Sequence, residues 1–385
     1  MKKIFSLRYL TALCFLLVLA LAFVFSLKPF LRESYYAFRG GADSATAESM
    51  FNAFFPAKEQ LVTLNGGIQR VLGKREVNER YRLDNGQLTY IIPKLDMHDI
   101  AANTVRFDEA LKAEGVPMLY VSLLFKVDAR DPQLPPGVED YSNDNADRFL
   151  ALVREGGVDT LDLREREKAA GLDHYSLFFS TDHHWTPEAG LWAAGETAAA
   201  LGERDASLAA YPALFQIEQY DRDEHPGIFL GSHGRRTGAW YSGMDDITVL
   251  TPRFETLLRF TVPSEQIDRT GSFAETVLFP EELEPEDPME SACYDVYCGG
   301  QYAEMRIENL SGGNGKRLLV LQDSFDLVVL PYLALGYESV DALDLRLWSG
   351  DLLDYIRETE PDMVLILYNP GALEDNNTVM FDFLR

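Results

Sequence analysis

Along most of this chain, apolar and polar positions alternate in blocks, and the period of the blocks changes in a regular order. From Asp99 to Gly115 the apolar residues Ile100, Val105, Phe107, Ala110 and Leu111 fall at helical spacing, with Gly115 as a stop. Val116 to Phe125 is a nearly continuous apolar run, the form of a parallel strand covered on both faces. A second helix is predicted over Asp147–Arg154, ended by Gly156-Gly157, then a short strand over Val158–Leu163 and an alanine-rich helix over Pro187–Leu201. The alternation resumes late in the chain. Arg317–Leu321 predicts a strand, Phe325–Gly336 a helix, Ser339–Leu343 a strand, Asp351–Glu358 a helix and Met363–Tyr368 a final strand. This succession predicts an α/β fold: three layers, α/β/α, around a mainly parallel sheet.

Three stretches depart from that rhythm. Asp84-Asn85-Gly86 is a turn signal ahead of a strand-like Gln87–Ile92. Residues 221–314 are rich in Gly, Pro, aromatic and acidic residues and predict a loop-rich insertion with room for a β-hairpin; Glu281–Glu290 is its acidic, proline-containing part. At the N-terminus, Tyr9–Leu27 carries no charge, with Lys2, Lys3 and Arg8 before it and Lys28 after. At about 1.5 Å per residue this stretch just crosses a ~30 Å hydrocarbon core. It predicts a transmembrane signal anchor over 9–27, with 1–8 as a cytoplasmic tail and the rest outside the membrane. The rival reading is a cleaved signal peptide, for which Ala20-Leu21-Ala22 has the small-x-small form. Residues 28–83 then read as a stalk and helical linker bearing Phe30, Tyr35, Tyr36, Phe51 and Phe54, and 84–385 as the catalytic domain.

Composition narrows the classes. The net charge of −26 argues against nucleic acid, which needs a basic footprint, and disfavours adhesion to anionic lipid. Cys14 lies in the apolar N-terminal segment. Cys293 and Cys298, in Cys-Tyr-Asp-Val-Tyr-Cys, are expected to close a small disulfide loop in an oxidising compartment, with a pair of thiols as the alternative. A metal there would need two further ligands, and no suitable histidine cluster lies near.

The chemistry sits in two motifs. Ser324, in Gln322-Asp323-Ser324-Phe325, follows an apolar strand and opens a helix, which exposes a side chain at the carboxyl end of a parallel sheet. By itself an Asp-Ser at a strand end is read as a helix N-cap. Asp323 is expected to brace that turn. The second motif, Thr181-Asp182-His183-His184-Trp185-Thr186-Pro187, is the more specific. A carboxylate two positions from an imidazole can hold one tautomer, so His184 is the expected base, Asp182 its partner and His183 a bystander. Trp185 is expected to pack beneath the site, and Thr186-Pro187 to start the next helix. Metal ligation by the two histidines is the competing reading, with no HExxH pattern to support it, and the chain calls for no cofactor.

Asp182-His183-His184-Trp185, Gly231-Ser232-His233-Gly234-Arg235-Arg236-Thr237-Gly238, Asp323-Ser324-Phe325 with Pro331-Tyr332-Leu333-Ala334, and Asp344-Leu345-Arg346 occur in that order. Together they resemble the DHHW family of bacterial membrane-anchored proteins, which is similar to the SGNH-hydrolase-like domain of the periplasmic alginate O-acetyltransferases. The resemblance implies an SGNH-like α/β/α domain with Ser324 as nucleophile, His184 as base and Asp182 as its partner. The Ser324 N–H is the first candidate oxyanion donor. Asn369 is a second, or else a turn-former before Pro370-Gly371. The Gly231–Gly238 loop offers backbone N–H groups, and Arg235 and Arg236 there either bind an anion on a glycan or pair with Asp245 and Asp246. Arg346 and, more weakly, Lys126 are substrate contacts or structural ion pairs.

The resulting expectation is a membrane-anchored, extracytoplasmic O-acetyltransferase that modifies a cell-envelope glycan or exopolysaccharide through an acyl-serine. A multipass membrane acyltransferase is the expected acyl donor. The alternatives are a carbohydrate esterase or deacetylase with the same triad, and a catalytically silent glycan-binding or scaffold protein.

Overall fold

The computed structural model describes residues 9–10, 12–17, 20, 24, 58–284, 288–289 and 292–385. Most of the Tyr9–Leu27 segment and the aromatic stretch after it lie outside the described residues, and so does part of the acidic stretch Glu281–Glu290. Among the described residues no helix is long and apolar enough to cross a membrane. The chain divides into two units, residues 1–65 and 66–385, and the second carries the site.

A small antiparallel sheet opens this unit: β1 (Glu76–Val77), β2 (Arg80–Arg82) and β3 (Leu88–Thr89). The strand expected over Gln87–Ile92 is cut to two residues, and backbone groups along this stretch bond outside the small sheet. Leu88 N–H donates to the Ser180 carbonyl at 2.8 Å, and Ile92 N–H to Asp140 Oδ2 at 2.8 Å.

The main sheet is built from β4 (Met118–Ser122), β5 (Thr160–Asp162), β8 (Leu258–Val262), β9 (Ile267–Gly271), β10 (Glu304–Asn309), β11 (Arg317–Gln322), β12 (Ser339–Leu343) and β13 (Met363–Tyr368). Its order is β5-β4-β13-β11-β12-β10-β8-β9. The first five are parallel, and β10, β8 and β9 extend them antiparallel. The remaining strands, β6 (Tyr220–Phe229) and β7 (Asp245–Pro252), form a separate ribbon. Most of the strand content of 221–314 is therefore regular where the composition suggested loops. Leu258, Phe260 and Val262 are buried while Arg259 is exposed, a period-2 pattern that the Gly and Pro residues around it obscured.

Alternation along the central strands produces two apolar faces. Leu318 and Val320 join one core with Leu191, Ala194, Ala198 and Leu201 of the helix Pro187–Arg204. Leu319 and Leu321 join the other, with Phe107 and Leu111 of the helix His98–Glu114 and Phe149 of the helix Ser142–Glu155. Both faces of the sheet are thus covered, which gives the three layers. The helix expected over Phe325–Gly336 is broken into a 3-10 turn (Ser324–Val328) and an α-helix (Leu330–Gly336). Pro331 lacks the N–H that would tie it back into the preceding turn.

Candidate active site

Ser324, Asn369 and the Asp344-Leu345-Arg346 turn all follow the carboxyl ends of parallel strands, β11, β13 and β12. The first turn after β11 is fixed by reciprocal caps. Asp323 Oδ1 accepts from Phe325 N–H at 2.9 Å, while Asp326 Oδ2 accepts from Asp323 N–H at 3.0 Å. Asp323 Oδ2 also accepts from Asn369, at 2.9 Å from its backbone N–H and 2.6 Å from Nδ2. Burial raises the Asp323 carboxyl from its ordinary range even so. Asp323 braces the turn as expected, and among the described residues nothing accepts from the Ser324 N–H.

His184 comes from the turn before the helix Pro187–Arg204, which Thr186 caps by accepting from Ala189 N–H. Its Nε2 lies 2.7 Å from Ser324 Oγ, and its Nδ1 lies 2.6 Å from Asp182 Oδ1. With a carboxylate at Nδ1, the neutral ring carries its proton there and leaves Nε2 to accept from the serine hydroxyl. Asp182 is 2% exposed and accepts two further bonds, from His184 N–H at 2.9 Å and from Ser232 N–H at 2.5 Å. Burial alone would raise its carboxyl, but His183, His184 and the hydrogen bond from His184 outweigh that and hold it well below the usual range.

A second tier of residues holds this turn. Lys126, fully buried, donates from Nζ to the carbonyls of Asp182 at 2.5 Å and Leu88 at 2.7 Å, so it secures backbone instead of meeting substrate. Burial lowers its ammonium to about 8. Asp245 accepts from Ser180 N–H, Thr181 N–H and Thr181 Oγ1 at 2.8, 2.7 and 2.6 Å. The His184 ring is stacked on Tyr294, with centroids 4.2 Å apart and planes at 11°, and the Phe325 ring is tilted against it with centroids 5.1 Å apart. Trp185 is fully buried and donates from Nε1 to the Phe325 carbonyl at 2.8 Å; it is core beneath the site and not a substrate contact.

Three further expectations are corrected. Gly231 N–H donates to Thr181 Oγ1 at 2.9 Å, so it is no anion donor; a Cβ there would lie 2.2 Å from that of Asp182, and glycine is needed for this close approach. The Gly231–Gly238 segment is a short helix, Ser232–Thr237, and Asp245 and Asp246 are engaged by backbone N–H groups of Ser180, Thr181 and Gly227. Cys293 and Cys298 form no disulfide. Cys293 Sγ faces the Ile228 carbonyl at 3.7 Å and Cys298 Sγ the Leu327 carbonyl at 3.8 Å, which turns the sulfurs toward different elements.

Two cavities flank Ser324. One of about 700 Å³ is lined by Arg80, His183, His233, Arg236, Arg346 and Asn369 among others. The other, about 420 Å³, is lined by Arg235, Tyr294, Asp295, Gln301 and again Arg346. Arg346 is itself paired with Asp344, through Nε at 2.9 Å and Nη2 at 2.6 Å. His183 Nδ1 lies 2.8 Å from Ser232 Oγ, and its imidazolium is disfavoured by burial and by His184. Asp182, His183 and His184 place ligand atoms within 4.8 Å of one another, the only such trio a metal could use among the described residues; the hydrogen bonds above already engage those side chains.

The fold and this constellation define an SGNH-like α/β domain, and comparison with known proteins agrees. Residues 93–256 match the family model of the SGNH hydrolase-like domain, acetyltransferase AlgX; that span holds Asp182 and His184 but stops short of Ser324. Bacillus cereus PatB1 is similar at 21% identity over 79% of this chain and 99% of that one, with a TM-score of 0.65. Its form with a sulfonyl adduct gives 20%, 81%, 100% and 0.65. A DHHW family protein from Eubacterium siraeum DSM 15702 gives 18% identity, 80% and 97% coverage and a TM-score of 0.61. No curated protein matches in sequence. Residues 93–256, with the Asp-His-His-Trp motif, thus match the AlgX-type SGNH hydrolase-like domain, and the chain shares its fold with a DHHW family protein.

Proposed function

We propose that this protein is an O-acetyltransferase acting on a glycan, with Ser324 as nucleophile, His184 as base and Asp182 as the carboxylate that orients it. The observation that carries the reading is the unbroken line from Asp182 Oδ1 to His184 to Ser324 Oγ, at 2.6 and 2.7 Å, opening onto two cavities. Ser324 Oγ attacks the acyl carbonyl as His184 Nε2 takes its proton, and the same proton passes to the departing donor oxygen. The glycan hydroxyl then gives its proton to Nε2 and attacks the acyl-serine; Ser324 leaves with that proton. In this reading the Ser324 N–H, with Asn369 Nδ2 as a second donor, stabilises the oxyanion of each tetrahedral intermediate.

The match to an acetyltransferase domain supports the acyl group, and the uncharged Tyr9–Leu27 stretch supports a tether that presents the domain outside the membrane. A multipass membrane acyltransferase remains the proposed acyl donor. The test is acetate content of the envelope glycan in cells carrying wild type or Ser324→Ala. Loss of acetylation in the variant is expected; unchanged acetylation overturns the proposal, and release of free acetate with no acetylated glycan replaces transfer by hydrolysis.

A further inference from the structure

The larger cavity beside Ser324 is lined by three guanidinium groups from three separate elements: Arg80 on β2, Arg236 on the helix Ser232–Thr237 and Arg346 after β12. In a chain of net charge −26, carboxylates are plentiful; Arg130, Arg164, Arg166 and Arg259 each meet two. Arg80 and Arg236 have no such ion pair among the described residues. Arg80 Nη1 donates only to its neighbour's carbonyl, Glu79 O, at 2.9 Å, and its Nε is buried without a partner. Its guanidinium lies 5.6 Å from the centroid of the Tyr90 ring; burial and the nearby Arg236 disfavour its charge, with Tyr90, Glu79 and Glu374 partly offsetting them. Both carboxylates stand on the same cavity wall.

Two other features point to an absent partner. His233 is 2% exposed and lines this cavity, and neither ring nitrogen has a hydrogen-bond partner among the described residues. A neutral imidazole carries one N–H, so the wall holds a donor with nothing to accept it. The hairpin that delivers Arg80 turns through Asn78 and Glu79, both in the left-handed region at φ 50° and 60°. Such a conformation is unfavourable for glutamate and tends to persist at ligand sites. Asn78 Nδ2 also donates to the Arg236 carbonyl at 2.8 Å, which fixes the hairpin and the helix together.

We propose that this cavity is an anion subsite, so that the acceptor glycan presents a carboxylate or phosphate group beside the hydroxyl that is acylated. Planar guanidinium forks suit either group, and a buried, unpaired donor adds to them. This rests on the acyl-serine reading above. The small N-terminal sheet then does more than cover the domain: it supplies Arg80 to the acceptor side. The smaller cavity, on the other side of His184 and carrying Tyr294 and Asp295, is left for the acyl donor.

The test uses the full chain and competition against turnover of p-nitrophenyl acetate. The probes are an oligogalacturonate, the same oligomer with its carboxyls reduced to alcohols, and a maltooligosaccharide phosphate. Wild type is expected to bind at least one anionic oligomer roughly tenfold or more tightly than the reduced one, with a preference that falls as salt rises. The carboxylate and phosphate arms tell which anion fits. In Arg80→Ala/Arg236→Ala the preference should fall by about tenfold per arginine, and Arg80→Lys/Arg236→Lys should restore part of it. Equal competition by charged and reduced oligomers in wild type overturns the subsite while leaving the acyl-serine intact. An unaltered preference in the double alanine variant overturns it too. Absence of any Ser324-dependent turnover strikes the underlying function instead.

Discussion

Tyr294 lies flat against the imidazole of His184, ring centroids 4.2 Å apart and planes within 11°. The contact joins residues 110 positions apart in sequence and holds the face of the His184 ring, while Asp182 fixes its edge through Nδ1. The Tyr294 hydroxyl donates to the Phe325 carbonyl at 3.1 Å, so one side chain holds both the base and the turn that carries the nucleophile.

Tyr294→Ala should therefore lower kcat by roughly 10–100-fold with a smaller effect on KM, because a freed imidazole leaves the productive geometry. Tyr294→Phe keeps the ring and should stay within a few-fold of wild type. Steady-state kinetics on an aryl acetate checks both. A Tyr294→Ala enzyme of wild-type kcat means that the ring only fills space.

Gly231→Ala tests the placement of Asp182. The added methyl would meet the Asp182 Cβ at 2.2 Å, and Gly231 sits at φ −68°, so backbone strain is not the issue. Moving the carboxylate should cost about 10²-fold or more in kcat while thermal unfolding shifts modestly. Equal activity in the variant contradicts the claim that this glycine exists for close approach.

Asp341 gives a pH signature unrelated to catalysis. It is buried on β12, 3.4 Å from Arg306, and burial pushes its carboxyl up to about 6, with Arg306 opposing and Glu304 and Glu308 adding. The folded state holds this proton where the unfolded chain has lost it. The stability penalty is thus absent below about pH 4, grows as pH rises to about 6 and stays constant above. Asp341→Asn should gain on wild type by on the order of 3 kcal/mol across that window, measured by urea unfolding at pH 4 and 7. A difference that does not change with pH refutes the assignment.

The cysteines offer a chemical check. Cys298 is fully buried, which pushes its thiol up from the ordinary value, so alkylation should need unfolding. Peptide mapping without reduction should find no Cys293–Cys298 link. A linked peptide from native protein contradicts the structure here.

The layered fold was legible because its signals are local. Helical periodicity over Asp99–Gly115 and the apolar runs that became β4, β11 and β13 mark buried elements whatever lies beside them. The Asp182, His184 and Ser324 constellation was legible as motifs. Its supports were not. Lys126 reads in sequence as a substrate contact or ion pair and Asp245 as a partner of Arg235 or Arg236, whereas both hold backbone of the Asp182 turn. Tyr294 is not singled out by sequence at all, because all three reach the site through long-range contacts. Residues 221–314 misled for a related reason. Their glycines and prolines signal turns, while strands β8 and β10 are specified by pairing with each other and with β12. The disulfide was read from spacing alone, whereas the turn Cys293–Val296 points the two sulfurs at separate carbonyls.

The most direct test of the central claim is the covalent state of Ser324. Full-length protein quenched during turnover of p-nitrophenyl acetate, digested and mapped by mass spectrometry should carry acetyl on the Ser324 peptide, with none in His184→Ala. Acetyl on another residue, or undiminished turnover in Ser324→Ala, contradicts the account.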